Sequence, residues 1–241
     1  MSQTATTEST DSTVETPLLE LRNLHCERDE RMLFSGLNLS LRPGSIVQVE
    51  GPNGSGKTSL LRLLTTTSVD YQGEILWRGE SLAQSRLDYL NHLLFVGHLP
   101  GVKKALTPRE NLAWFSGLNS GHQRCSVEEA LSEVGLFGFE DVSCYQLSAG
   151  QLRRVALARL FLTPAQVWVL DEPFTAIDKQ GVANLERLML EHAAGGGCVV
   201  LTTHQDLTMP QVQKLNLMDF RTRRVELGVE DGYEREGSLY E

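Results

Sequence analysis

Gly51, Pro52, Asn53, Gly54, Ser55, Gly56, Lys57 and Thr58 follow one another in the pattern G-x-x-x-x-G-K-[ST]. Such spacing suits phosphate. Glycines let backbone amides converge on phosphate oxygens, and the start of a following helix adds positive potential. The Lys57 ammonium can reach β and γ phosphates, and the Thr58 hydroxyl can ligate Mg2+. A glycine turn capping a helix would use similar letters. Here the loop lies between SIVQVE and KTSLLRLLT, where an extended pattern becomes a helical one, and that context favours the phosphate reading. Further along, VWVL runs into Asp171 and Glu172. This reads as a buried strand carrying two carboxylates at its C-terminal end, the edge where α/β sheets bind ligands. Asp171 would hold Mg2+ through water, and Glu172 would orient or deprotonate a water beside a γ-phosphate. Taken alone, the acidic pair is equally a solvated strand end.

The elements that must position these groups follow from periodicity. LLELRNLHCE and LNLSLRPGSIVQVEG alternate apolar and polar residues, the pattern of paired strands leading into a central one. After the loop, Leu60, Leu61, Leu63 and Leu64 fall at helical spacing, and YQGEILWRGE returns to a strand or hairpin. From about 100 to 154 strand signals fade, and PRENLAWFSGL and SVEEALSEVGL suggest a helical lobe. LRRVALARLFL, the acidic strand, a helix through NLERLMLEHA and the strand CVVLTTH then restore alternation. The fold class expected is α/β: a P-loop NTPase with a mostly parallel core sheet, a small antiparallel β subdomain and a helical subdomain. Residues 1–17, rich in Ser, Thr and Glu, read as a disordered leader to a domain spanning 18–241, whose tail from about 220 is too polar to assign.

LSAGQ, residues 147–151, opens the helical pattern QLRRVALARL, with Leu152, Val155 and Ala156 on its apolar face. Ser148 suits an N-cap, which is a sufficient reading of that segment in isolation. In chain order, however, stand the phosphate loop, LSAGQ, the acidic strand, then Thr175-Ala176-Ile177-Asp178, then His204 after CVVLTT. Over roughly 18–207 the chain thereby resembles the ATP-binding cassette (ABC) ATPases, with Ala149 replacing one glycine of their usual Leu-Ser-Gly-Gly-Gln signature. The resemblance implies ATP and Mg2+ as cofactors and a homodimer arranged head to tail. Ser148, Ala149, Gly150 and Gln151 would then complete the partner's ATP site, and Asp178 would lie in a D-loop. His204 would sense the γ-phosphate and Glu172 would act as catalytic base.

Two positions depart from the family pattern. Arg28 stands where an adenine-stacking aromatic is usual, and His98 where the Q-loop glutamine is expected. An arginine plane can stack on a base, so Arg28 remains a candidate, equally readable as a surface arginine in a turn. Imidazole is a poor ligand for hard Mg2+, so His98 is expected to act through water or towards a membrane partner, with a plain loop histidine as the competing reading. FVGHLPGVKKALTPRENL and HCERDERMLF, together with LSAGQ, are similar to the haem-exporter ATPase subunits of bacterial cytochrome c maturation. That narrower resemblance implies a peripheral subunit on the cytoplasmic face of the inner membrane, docked on integral membrane permease subunits, powering haem export or haem-chaperone release.

Composition limits the alternatives. Lys plus Arg number 22 against 31 Asp plus Glu, a net charge of −9, which disfavours a nucleic-acid partner. Cys26, Cys125, Cys144 and Cys198 lie far apart without a C-x-x-C pair, so neither a zinc site nor a disulfide frame is expected. No stretch reaches the ~18 apolar residues of a membrane span, and no direct membrane insertion is expected. A soluble ABC ATPase acting as a mechanical switch, a transporter ATPase for another substrate and a P-loop kinase remain as alternatives. The kinase fits LSAGQ and the adjoining Asp171 and Glu172 least well.

Overall fold

Strands β1 (Leu19–Arg28) and β2 (Arg31–Leu41) form an antiparallel hairpin that turns through Asp29 and Glu30. Both turn residues have positive φ, 51° and 58°, as a two-residue turn matched to strand twist requires. On its other edge β1 pairs with β4 (Gln72–Trp77), and β4 with the short β5 (Glu80–Ser81), giving the order β2-β1-β4-β5. These coordinates are a computed structural model describing residues 16–118 and 124–221. Most of the expected leader and tail lies outside the described residues.

A second sheet is parallel throughout, with strand order β6 (Leu93–Val96), β7 (Val167–Asp171), β8 (Cys198–Thr202), β3 (Ile46–Glu50), β9 (Gln213–Asn216). Both its faces are covered, and alternation along each strand sorts the side chains. Val47, Val49, Val167, Val169 and Val200 join one core with α1 (Lys57–Leu64) and the antiparallel sheet. Ile46, Trp168, Leu170, Val199 and Leu201 join another, beneath α7 (Lys179–Ala194), α5 (Ala149–Leu157) and α6 (Arg159–Leu162). That burial on two sides explains why these strands read as near-continuous apolar runs. Leu60, Leu61, Leu63 and Leu64 are all buried, each contributing about 1.5–3 kcal/mol, and they hold α1 in place.

A third core gathers Leu112 of α3 (Pro108–Leu118), Ala130 and Leu131 of α4 (Val127–Glu133), and Leu152 and Val155 of α5. The segment expected as one helix, QLRRVALARL, divides at Ala158, whose φ of −57° and ψ of −22° keep the backbone helical through the join. Helix α2 (Leu82–Asn91), β6 and β9 carry no assignment in the sequence reading. No helix among the described residues is long and apolar enough to cross a membrane.

Strand register is what assembles the site. Val49 stands opposite Thr202, and Thr202 opposite Asp171, so β3, β8 and β7 end in one row. The phosphate-loop glycine Gly51 follows two residues after Val49.

Candidate functional site

The glycine loop between β3 and α1 bends through backbone that side chains resist. Gly51 and Gly56 have φ of 143° and 106°, and a Cβ on Gly51 would lie 2.5 Å from the Ser55 Oγ. Gly56 is the N-cap of α1 and offers no side chain to cap it, so the first amides of α1 remain donors facing outward. Ser55 is buried and its hydroxyl has no hydrogen-bond partner among the described residues. Lys57 Nζ donates to the carbonyl oxygens of Gly51 at 2.5 Å and Pro52 at 3.4 Å, curling the cation back over its own loop. Open helix amides, an orphaned hydroxyl and a cation together make a donor set fitted to phosphate oxygens. A cavity of about 210 Å3 lies beside it, bounded by Gly51, Lys57, Thr203 and His204.

Along the row of strand ends, the Thr202 hydroxyl donates to Asp171 Oδ1 at 2.7 Å, while the Glu172 amide donates to Thr202 Oγ1 at 3.1 Å and to its carbonyl at 3.2 Å. Thr202 is 1% exposed and therefore fixes both acidic residues from inside. Glu172 has a φ of 49°, a strained conformation for a residue with a side chain. Its carboxylate Oε1 lies 3.5 Å from His204 Nε2, bringing two of the expected residues together. Arg153, which is 3% exposed, reaches the same row from α5 and donates to the carbonyls of Asp171 and Glu172 at 2.9 and 2.8 Å.

Ser148 does cap α5. Its Oγ accepts from the Gln151 amide at 3.2 Å, and Gln151 Oε1 accepts from the Ser148 amide at 2.9 Å, a reciprocal box. Ala149 opens the helix, and Gly150 packs so closely on the segment after Glu172 that a Cβ there would lie 2.6 Å from the Ala176 carbonyl. Ser148 and Ala149 are exposed, and none of residues 148–151 lines either cavity beside the phosphate loop. Asp178 caps α7, with Oδ1 accepting from the Gly181 amide at 2.8 Å.

An ABC transporter family profile matches residues 34–175. The chain belongs to the ABC transporter family. Among curated relatives, the cytochrome c biogenesis ATP-binding export protein CcmA of Hahella chejuensis is 53% identical over 212 residues, covering 85% of this chain and 98% of that one. The protein of that name from Yersinia pestis is 53% identical over 79% of this chain and 87% of its own length. Among solved structures, an ABC transporter ATP-binding protein from Pyrococcus furiosus superposes with a TM-score of 0.72 at 26% identity, covering 85% of this chain and 99% of that one.

In this ABC ATPase, whose nucleotide is ATP, the two departures from the family pattern take on particular settings. Arg28 ends β1 and is exposed, with Nε 3.5 Å from Asp29 Oδ2. It lines a cavity of about 490 Å3 together with Arg31, Asn53, Lys57 and Thr58, and among the described residues no aromatic one lines that cavity. His98 follows β6 as an exposed residue whose carbonyl lies 3.5 Å from Arg153 Nη1. A larger cavity of about 760 Å3 lies between α4, α6 and α7. Of the expected site residues it includes only Asp178, and its charged walls of both signs do not resemble a phosphate cradle.

Sequence reasoning missed Thr202 and Arg153. The signal for Arg153 was a charge set between Leu152 and Val155 on a helix whose apolar face turns inward, but nothing local tells which carbonyls it meets. Thr202 ends an apolar strand and gains its role only from the register of β7 and β8.

Proposed function

We propose that this ABC protein is the ATP-hydrolysing subunit of a cytochrome c biogenesis export complex, powering haem export or the release of a haem chaperone. The observation carrying this reading is the 53% identity to a CcmA over nearly the whole length of that relative. The local geometry supports the hydrolytic half. Backbone N–H groups of residues 53–58 and the Lys57 ammonium bind the triphosphate, with Lys57 leaving the Gly51 and Pro52 carbonyls to do so. Glu172 Oε accepts the proton of the attacking water, and His204, adjacent to that carboxylate, contacts the γ-phosphate. The Thr58 hydroxyl and the Asp171 carboxylate are hard oxygen donors that suit Mg2+, which is usually held by one or two protein groups plus water and phosphate. Bound there, Mg2+ supplies neutralisation of phosphoryl charge. Arg28 provides a flat cation against the base.

In this reading two chains pair head to tail, each Ser148–Gln151 segment meeting the nucleotide on the other chain's loop. The dimer sits peripherally at the cytoplasmic face of the bacterial inner membrane, on integral permease subunits, and passes its opening and closing through the lobe built of α3 to α5. The test is a strain lacking the endogenous gene. Wild-type chain should restore covalently haem-bound periplasmic cytochrome c and co-purify with integral membrane partners, and Lys57→Ala should restore none. Full maturation supported by Lys57→Ala would reject the proposal.

A further inference from the structure

Arg153 is buried on α5, and each of its five N–H donors has a backbone carbonyl acceptor. Nη2 meets the Asp171 and Glu172 carbonyls at 2.9 and 2.8 Å, Nε that of Pro173 at 3.4 Å, and Nη1 those of Gly97 and His98 at 2.6 and 3.5 Å. One side chain thus spans the exits of β6 and β7. Burial lowers its pKa, and the Asp171 and Glu172 carboxylates oppose that shift. Such a desolvated cation is costly, and simple packing does not require one. Lysine, with a compact ammonium, cannot reproduce a flat five-donor fork.

We propose that Arg153 is a positioning residue that locks the signature helix to the hydrolytic carboxylate of its own chain, making ATP held at one composite site a condition for hydrolysis at the other. The proposal rests on the head-to-tail dimer argued above. Glu172 is where the lock acts. Its φ of 49° is held from one side by Thr202 on the amide and from the other by Arg153 on the carbonyl. Releasing the carbonyl lets the backbone relax from a conformation that costs on the order of 1–3 kcal/mol, and the carboxylate swings with it. A second contact points the same way. The first turn of α5 packs directly on the segment after Glu172, closely enough that a Cβ at Gly150 would lie 2.6 Å from the Ala176 carbonyl. The exposed end of this rigid unit is Ser148, which engages the partner's nucleotide, and its inner end orients the carboxylate serving the chain's own nucleotide.

ATP turnover of the full chain, measured against ATP and against protein concentration, tests this. Wild-type turnover should be sigmoidal in ATP. Arg153→Gln and Arg153→Lys should lower kcat by about 10- to 100-fold, leave half-saturation within about twofold, and bring the Hill coefficient from near two towards one. Val155→Ala, which loosens the same helix from the lobe core without touching these carbonyls, should lower Tm yet keep the sigmoid. If Arg153→Gln does not fold, Arg153→Lys, which keeps the buried charge, carries the comparison. Wild-type kcat and cooperativity in Arg153→Lys would overturn the lock, as would equal loss of cooperativity in Val155→Ala. Wild-type turnover that is hyperbolic in ATP and independent of protein concentration would instead overturn the dimer reading, and the lock with it.

Discussion

Glu172 sits where a strand ends, its backbone pinned on both sides and its carboxylate 3.5 Å from His204. Replacing the carboxylate with an amide keeps the shape and removes the proton acceptor. Glu172→Gln should therefore bind ATP with unchanged affinity and lose about 10²–10⁴ in turnover, read in a steady-state phosphate-release assay. Thr202→Val removes the hydroxyl that Asp171 and Glu172 share, and should cost about 1–3 kcal/mol of stability in urea unfolding as well as slowing hydrolysis. For His98, exposed and linked to Arg153 only through its carbonyl, His98→Gln should retain most ATPase activity. His98→Ala should impair cytochrome c maturation in cells more than hydrolysis in vitro. Lys57 is legible in the sequence as a phosphate-loop candidate because its glycine spacing falls where a strand pattern becomes a helical one, and Asp171 and Glu172 gain their reading only from being paired with that loop. Thr202 and Arg153 are not legible, because they act through register or helix packing on residues between 18 and 56 positions away.

The glycine loop and α5 show what whole elements contribute. The loop turns through positive φ at Gly51, Gly54 and Gly56, and α1 anchors it through buried leucines. The cap at Ser148 was visible from residue types, and the structure adds that Gln151 completes it from the third helical position. Ser148→Arg should leave nucleotide binding on the chain's own loop intact while blocking turnover, because the proposed head-to-tail pair places the segment at the partner's site. Mixing Ser148→Arg with Lys57→Ala chains should recover measurable hydrolysis, since one site of a mixed pair carries neither defect. Strong hydrolysis by Ser148→Arg alone would contradict action in trans. The elements hidden from the sequence were short or polar. β9 buries a single residue of four, Leu215, and β6 is four residues long, so neither offers a periodicity to read.

Across the molecule, the two-sided parallel sheet follows from apolar runs punctuated by helices, whereas long-range pairings within its cores had no local signature. Trp168 of β7 stacks on His192 of α7 at 3.7 Å between centroids, and burial lowers the His192 pKa to about 4. The unfolded chain therefore takes up this proton first. Its contribution is fully present above pH ~6.5 and is lost as pH falls towards about 4, roughly 3 kcal/mol in all. Urea unfolding at pH 7 and pH 5 should differ by about 2 kcal/mol more in wild type than in His192→Phe, which keeps a ring on Trp168 without the proton. The central claim, that two chains share their ATP sites, is tested most directly by the mass of Glu172→Gln in solution by light scattering, with and without MgATP. The account predicts a chain of 26.8 kDa without nucleotide and twice that mass with MgATP, one nucleotide retained per chain. A variant that binds one MgATP per chain at saturation and keeps the mass of a single chain would contradict it.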